Sequence, residues 1–227
     1  MKSESPERSR TTSGGVSNRD QLIGALCHDV GNLLAAVRLS AHLLSVEIPE
    51  ADRLSISRDI EDLVAQAGAL IAHVRPLQGG TSISPVPVSL REVLTALSGA
   101  LKDRRVGGAV LSIANGRNLP DVRVDPDALY HLLLTLVRGS LDAAASDGKV
   151  RVTAKHQGRR VILSVIDDGR PLDLDEIRRG SAPRGRELAV CIADAVLRLM
   201  GGRAAAELRR RGSRVDLHLP AMVQKKG

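Results

Sequence analysis

Two apolar repeats, each with spacings of four and three residues, constrain the fold of this chain most strongly. Such spacings place apolar side chains on one face of a helix, and a polar turn around Pro49 separates the two repeats. The pattern therefore predicts a hairpin of two helices over residues 18–75. The first repeat comprises Leu26, Val30, Leu33, Val37 and Leu44, and the second comprises Ile56, Ile60, Leu63, Ala67, Leu70 and Val74.

A single hairpin of this kind leaves much of its apolar surface uncovered. Pairing of two copies into a four-helix bundle would cover that surface, because helices with broad apolar faces pack around a shared core. We therefore expect a homodimer formed through residues 18–75.

The rest of the chain divides into four further segments. Residues 1–17 are rich in Ser, Thr, Gly and Arg and are expected to be disordered, and residues 76–85 combine Pro, Gly and Ser as in a linker. Residues 86–223 contain strand and helix patterns, with hairpins among the strands, and residues 224–227 form a basic tail. This order predicts an α+β sandwich over residues 86–223, with helices on one face of a mixed sheet.

Local signals place several elements within that second domain. Ser89 followed by Glu92 predicts a capping box, and Asp125 before Pro126 predicts another helix start. A strand pattern covers residues 108–114, and a pattern of strand, turn and strand covers residues 149–169. A helix is predicted over 186–202, and a last hairpin of strands follows over 204–221.

Composition narrows the possible functions. The 227 residues include no Phe or Trp and only one Tyr, so aromatic platforms for nucleic-acid bases are missing. The net charge of +7 is dispersed in clusters such as Arg209 to Arg211, which are usually solvated, and no helix-turn-helix or zinc spacing accompanies it. We expect no nucleic-acid binding, and a basic surface favours an acidic protein partner.

Cysteine usage and hydropathy indicate the compartment. Cys27 and Cys191 have no ligand spacing around them, which predicts neither a metal site nor a disulfide framework. The first residues lack the apolar core of a signal peptide, and the sequence shows no continuous apolar run of the length of a membrane span. A cytoplasmic protein without a membrane span is therefore expected.

His28 stands out within the first helix. It lies about 200° around the helix from both Leu26 and Val30, so it points away from the apolar repeat. A metal site is disfavoured because no second ligand lies four residues away. An exposed surface histidine stays possible from this helix alone. The other possibility is a nucleophile, because a neutral imidazole can accept a phosphoryl group while Asp29 and Asn32 assist.

Four stretches together resemble bacterial sensor histidine kinases over residues 19–220. "CHDVGNLLAAV" resembles the H-box, "DPDALYHLLLTLVRGSLDAA" the N-box helix, "VIDDG" the G1 box and "RGRELAVCIADAVLRLMGG" the G2 region. The resemblance implies a dimerisation and phosphotransfer hairpin followed by a GHKL-type ATP-binding domain. It also implies that His28 is the phosphoacceptor, Asp29 its acidic neighbour and Asn32 a residue linked to phosphatase chemistry.

The N-box and G1 box depart from the pattern of that family. Gly139 replaces an asparagine that helps to hold Mg²⁺, and Thr135 replaces the asparagine four residues earlier. Because glycine has no side-chain oxygen, a hard cation loses a ligand. In G1, Asp167 matches the adenine-reading aspartate and Gly169 the first glycine, whereas Pro171 replaces the second glycine.

The G2 region departs further. Gly185 is retained, but Glu187 and Ala189 replace the other two glycines. A carboxylate would repel phosphates, and an alanine Cβ would crowd a backbone that must approach them closely. Residues 170–184 also offer too little chain for the lid of an active kinase. We therefore expect that this chain has lost ATP binding and carries no metal or cofactor of its own.

An intact H-box beside a damaged nucleotide pocket resembles ChpT-type histidine phosphotransferases. The resemblance implies that His28 accepts a phosphoryl group from a receiver-domain aspartate, such as that of an upstream hybrid kinase, and passes it to a response regulator. The receiver would supply Mg²⁺, and Ala35 and Leu39 would form the docking surface. Two alternatives stay open: an ATP-dependent histidine kinase with a divergent pocket, because Asp167 and Gly169 remain, and a non-catalytic dimeric interaction module.

Overall fold

The computed structural model describes residues 18–77, 83–101, 109–114, 116, 118–145, 147–173 and 185–222. The segment 1–17 that was predicted to be disordered, the basic tail 224–227 and residues 78–82 of the predicted linker lie outside these residues.

Two long helices form the first part of the molecule. Helix α1 spans Asn18–Leu43 and helix α2 spans Glu50–Leu77, and the two pack against each other along their length. Acidic side chains lie in the first turn of each helix, at Asp20 in α1 and at Glu50 in α2. There they interact favourably with the positive end of the helix dipole. Since α2 ends at Leu77, the first two residues of the predicted linker are helical.

A five-stranded mixed sheet forms the centre of the second part. Its strands are β2 (Val110–Ala114), β4 (Lys149–Gln157), β5 (Arg160–Asp167), β6 (Arg203–Leu208) and β7 (Ser213–Pro220), in the order β2-β4-β5-β7-β6. The pair β2 and β4 is parallel, and the other neighbours are antiparallel. Alternate residues of β7 are buried, which gives the sheet one face toward the core.

Two short strands and three helices complete this domain. Strands β1 (Val86–Val88) and β3 (Val122–Val124) pair antiparallel as a separate two-stranded sheet, and β3 had no counterpart in the predicted elements. The helices are α3 (Leu90–Leu101), α4 (Pro126–Ala143) and α5 (Gly185–Leu199). The predicted start of α4 is confirmed, because the Asp125 side chain accepts a hydrogen bond from the Ala128 N–H at 3.0 Å.

An aliphatic core joins the sheet, the helices and the beginning of the hairpin. Leu133 of α4, Leu163 of β5 and Leu197 of α5 are fully buried in it. Leu26 of α1 is also fully buried and belongs to the same cluster, and α1 contacts α5 while α2 contacts α4. Docking of the hairpin on the second domain therefore brings α1 beside the first turn of α5.

Residues Asp20–Leu43 of α1 are long and apolar enough, by length and composition, to cross a membrane, with a mean hydropathy of 1.4. The sequence had been expected to contain no such segment. A core helix of a soluble protein passes the same test. Helix α1 packs on α2 and α5, with 17% of its apolar window buried in one copy, and it carries Asp29 and Arg38 within the apolar stretch.

Candidate functional site

His28 lies on the exposed side of α1, as its helical position predicted. Its side chain is 51% exposed, and its Nδ1 atom lies 3.3 Å from Asp29 Oδ1 and 3.3 Å from Asn32 Nδ2. Since Nδ1 carries at most one hydrogen, a carboxylate neighbour favours the tautomer in which Nδ1–H donates to Asp29. Among the described residues Nε2 has no hydrogen-bond partner, so its lone pair is free to act as a nucleophile.

Asp29 connects this motif to the second domain. Its Oδ2 atom accepts a hydrogen bond at 3.2 Å from the backbone N–H of Gly185, the first residue of α5. The first N–H groups of a helix have no partner within the helix, and they carry partial positive charge. The start of α5 therefore holds one oxygen of the carboxylate while the other oxygen faces His28.

A cavity of about 450 Å³ lies between the hairpin and the second domain. This volume falls in the range of small-molecule sites. The cavity contains His28 on one side and the positions of the N-box and G2 resemblances on the other. Its lining residues are His28, Asp29, Asn32, Leu33, Gln66, Ala69, Leu70, Thr135, Arg138, Gly139, Asp142, Gly185, Arg186 and Ala189.

Asp167, the residue that matches the adenine-reading aspartate, is 2% exposed at the end of β5. Its Oδ2 atom lies 2.5 Å from Arg186 Nη2 and accepts a hydrogen bond from Ser140 Oγ at 3.3 Å. Its Oδ1 atom accepts from the Gly169 N–H at 3.1 Å. Burial raises the pKa of the Asp167 carboxyl, and the Arg186 charge opposes this shift most strongly.

Arg186 fills the space in front of Asp167. Its side chain is only 10% exposed, and its Nη1 atom donates to the carbonyl of Arg170 at 2.6 Å. Among the described residues, one cavity lined by Ser140, Leu172 and Arg186 measures about 10 Å³. That volume suits one water molecule at most.

Two contacts hold the loop after β5, and one of them comes from the replaced position Glu187. Glu187 is 8% exposed, and its Oε1 atom accepts from the Asp173 N–H at 2.9 Å. Leu172 is buried, and its N–H donates to Ser213 Oγ at 3.0 Å. The carboxylate that was expected to repel phosphates therefore serves as an acceptor within the fold.

The glycines near this pocket differ in what surrounds them. A Cβ at Gly169 would collide with the backbone of Ala143, so only glycine fits there. A Cβ at Gly139 would lie 3.0 Å from Arg186 Cγ. An asparagine at position 139 would therefore compete with the Arg186 side chain for the same space.

Ala35 and Leu39 follow His28 and Asn32 along the same exposed face of α1. Ala35 is exposed, and Leu39 is 63% exposed. In the part of the chain that the structure describes, no three His, Cys, Asp or Glu side chains come together as metal ligands.

Sequence reasoning missed two arginines of the site. Arg186 follows Gly185 directly, and a long cationic side chain inside a glycine-rich phosphate motif was an available signal. Arg138 precedes Gly139, but nothing in the spacing of α4 showed that it lines the cavity with His28.

Comparison with known proteins finds a family model and relatives that are similar to this chain. Residues 124–223 match the family model described as "Histidine kinase-, DNA gyrase B-, and HSP90-like ATPase". The chain is similar to the sensor histidine kinase ZraS of Escherichia coli O157:H7, with 24% identity over 218 residues, covering 90% of this chain and 47% of ZraS. It is also similar to the sensory histidine kinase/phosphatase NtrB of the same organism, with 31% identity over 138 residues, covering 59% and 37%.

The fold also occurs in a solved structure. The histidine kinase ThkA, crystallised in complex with the response regulator protein TrrA, superimposes with a TM-score of 0.58 at 16% identity, covering 92% of this chain and 66% of that chain. This likeness concerns the fold alone. The chain spans about half the length of the curated relative ZraS.

Proposed function

We propose that this chain, whose residues 124–223 match the histidine kinase-like ATPase family model, is a histidine phosphotransferase of a two-component phosphorelay. The comparisons support the histidine kinase family and two-component signalling. The choice of a phosphotransferase over a kinase rests on the geometry around Asp167.

One observation carries this choice: Arg186 pairs with Asp167 where the base of a nucleotide would be recognised. A buried ion pair of this kind is hard to displace, because removing one partner leaves an uncompensated charge inside the protein. The cavity of about 10 Å³ beside the pair is far smaller than a nucleobase needs. The Arg186–Asp167 pair therefore supports a loss of ATP binding, and no step of the proposed reaction uses ATP.

The proposed reaction takes place at Nε2 of His28. The Nε2 lone pair attacks the phosphorus of an aspartyl phosphate on a receiver domain, an N–P bond forms, and the P–O bond to the receiver carboxylate breaks. The ring then carries positive charge, and its Nδ1–H points at the Asp29 carboxylate, which stabilises that charge. Attack by the aspartate of a second receiver reverses the same bond changes.

The partners proposed for this reaction are receiver domains of response regulators and of an upstream hybrid kinase. ThkA was crystallised with the response regulator protein TrrA, which supports this class of partner. The exposed Ala35 and Leu39, on the same face as His28, provide the docking surface. Each receiver brings its own Mg²⁺, and the reaction is placed in the cytoplasm.

A homodimer through the hairpin is part of the proposal. Several large apolar side chains of α1 and α2 stay more than 40% exposed in one copy, and a second hairpin would cover them. They are Leu34, Leu43, Leu54, Val64 and Ile71. A solution mass near twice the chain mass of 24.1 kDa is expected from light scattering, and a stable monomer at micromolar concentration would contradict the dimer.

A second candidate, an ATP-dependent histidine kinase, has one observation in its favour. Gly169, which matches the first glycine of the G1 box, packs closely on the Ala143 backbone, and its N–H donates to Asp167 Oδ1. This candidate requires Arg186 to leave Asp167 when nucleotide arrives.

Phosphotransfer profiling separates the two candidates. Each receiver domain of the same genome is phosphorylated with labelled acetyl phosphate and mixed with the full chain, and a parallel reaction contains labelled ATP with Mg²⁺ and no receiver. We expect label from at least one receiver and none from ATP.

The matched control for this experiment is a second exposed histidine of α1. His28→Gln should abolish labelling, whereas His42→Gln should leave it unchanged, because His42 lies near the far end of the helix. Labelling of the wild type by ATP that is lost in His28→Gln would reject the phosphotransferase in favour of the kinase. Absence of label from every receiver would also reject it.

A further inference from the structure

Arg138 shares the cavity of about 450 Å³ with His28, but it has no role in the reaction described above. Arg138 lies on the face of α4 that also carries Thr135 and Asp142, at spacings of three and four residues, and all three line the cavity. The opposite wall contains His28 and Asn32 of α1. A cationic side chain and the exposed imidazole thus face one shared space.

The hydrogen bonding of Arg138 is incomplete. Its Nε and Nη1 atoms are buried, and neither has a hydrogen-bond partner among the described residues. Buried donors without an acceptor are unfavourable, and a guanidinium has five N–H groups to satisfy. Burial lowers the pKa of Arg138, while Tyr130 and Asp142 oppose the shift. Since arginine keeps its charge in proteins, the group needs an anionic acceptor.

Arg138 itself lines a space that can admit such an acceptor, the shared cavity. A phosphoryl group on Nε2 of His28 would add two negative charges and three oxygen acceptors at its edge. A guanidinium fork binds two oxygens of one phosphoryl group at once. A rotation of the Arg138 side chain toward the cavity would exchange unpaired donors for two charged hydrogen bonds.

We propose that Arg138 binds the phosphoryl group while it resides on His28. The inference rests on the proposed phosphotransfer at His28. Arg138 contacts the equatorial oxygens and leaves the in-line direction open for a receiver aspartate. The N–P bond forms and breaks as before, and Arg138 exchanges no proton. Its effect is to stabilise phosphohistidine relative to aspartyl phosphate and to slow hydrolysis.

The first measurement is the phosphotransfer equilibrium with a receiver. Arg138→Gln should shift the ratio of phosphohistidine to aspartyl phosphate about tenfold toward the receiver, as expected for loss of a charged hydrogen bond. Arg138→Lys, which keeps the charge without the fork, should lie between wild type and Arg138→Gln. Arg151→Gln removes one positive charge from an exposed position of β4 and is the matched control, with no shift expected.

The second measurement does not depend on a receiver. Phosphoramidate phosphorylates an imidazole with release of ammonia, and the hydrolysis of the resulting phosphohistidine is followed by phosphorus NMR. Arg138→Gln should shorten its half-life about tenfold and shift its resonance, while affinity for the unphosphorylated receiver stays unchanged. If Arg138 had only a structural role, its substitution would not change the half-life and resonance of phosphohistidine while leaving receiver affinity unchanged.

The outcomes separate the two proposals. If no receiver labels the wild type, the phosphotransferase proposal fails, and the phosphoramidate measurement still tests Arg138. If half-life, resonance and equilibrium in Arg138→Gln equal those of Arg151→Gln, the role of Arg138 is rejected. If Arg138→Gln does not fold, a phosphohistidine half-life in Arg138→Lys equal to wild type rejects it.

Discussion

The His28 motif and the Asp167 pocket retain the same family resemblance but use their polar residues in opposite ways. His28 is half exposed, and its two hydrogen-bonding neighbours lie within one helical turn. Asp167 is buried, and its partners come from α4, from the turn after β5 and from α5. The exposed motif keeps groups available for chemistry, whereas the buried pocket has satisfied its groups internally.

The largest expected effect is a complete loss of phosphoryl acceptance without a loss of stability, and it comes from substitution of His28. His28→Gln should remove all phosphoryl acceptance, because no other group offers a nucleophilic nitrogen at that position. Its free energy of unfolding in urea should stay within about 0.5 kcal/mol of wild type, because the side chain is exposed. A large loss of stability in His28→Gln would show that the motif is structural after all.

Removal of the Arg186 side chain should lower the stability of the protein and leave phosphotransfer at His28 intact. Arg186→Ala leaves the buried Asp167 carboxylate without its charged partner, and such a loss costs about 3–5 kcal/mol. Labelling of His28 by a receiver should survive at temperatures where the variant remains folded. Urea unfolding measures the first quantity and phosphotransfer the second.

The control for this variant is an exposed ion pair of the same helix. Arg198 pairs with Asp194 at 2.7 Å, but its side chain is 68% exposed. Arg198→Ala should therefore cost no more than about 0.5 kcal/mol. Equal destabilisation by the two substitutions would contradict the structural role of the buried pair.

An intermediate effect is expected at the docking surface. Leu39→Arg places a charge where a receiver helix would pack, and should weaken receiver binding about tenfold without lowering stability. Val110→Arg, at an equally exposed apolar position of β2, serves as control. Isothermal titration with unphosphorylated receiver measures both, and equal affinities would place the docking surface elsewhere.

A smaller effect is expected for Asn32→Ala. Its amide lies 3.3 Å from His28 Nδ1, and because Nδ1–H donates to Asp29, the Asn32 N–H groups are left to orient a phosphoryl oxygen or a water; their loss should change the lifetime of phosphohistidine about two- to fivefold. Receiver affinity should change less than this lifetime. The decay of label in the isolated protein gives the result, and an unchanged decay would exclude a role for Asn32 after transfer.

The smallest expected effect is a pH dependence at Asp167. Burial raises the pKa of this carboxyl in the folded state, so the folded protein binds more protons than the unfolded chain above the ordinary aspartate value of about 3.9. The contribution of Asp167 to stability therefore decreases as pH rises through that raised pKa. Urea unfolding should be measured for wild type and Asp167→Asn between acid and neutral pH. The free energy of unfolding of the wild type should fall relative to that of Asp167→Asn as pH rises. A difference that is independent of pH would refute this.

Much of the fold follows from local patterns. The four-three repeats predicted two helices, the position of His28 relative to Leu26 predicted its exposure, and Asp125 before Pro126 predicted the start of α4. These predictions succeed because helix periodicity and capping depend on residues within one or two turns. Strand β3 could not be predicted this way, because three residues are too few to show an alternation.

The fate of the altered nucleotide boxes was only partly accessible from the sequence. The replacements at Gly139, Glu187 and Ala189 indicated a damaged pocket, and the expected effect of Glu187 was repulsion of phosphates. In the structure Glu187 instead accepts a hydrogen bond from the Asp173 N–H. The structure also shows that Arg186, which had not been considered from the motifs, pairs with Asp167. Comparison with a motif shows which family residues are replaced, but it does not show which neighbouring side chains fill the space of the replaced ones.

The sequence by itself determined the helical hairpin, the outward direction of His28 and the order of elements in the second domain, because periodicity and capping act over short stretches of chain. Only the tertiary structure decided that Gly185 holds Asp29 across 156 residues, that Arg186 pairs with Asp167, and that Arg138 and His28 share one cavity. Those contacts depend on how α1, α4 and α5 dock on one another. Burial also sets their strength, since a charge pair excluded from water behaves differently from the same pair at the surface.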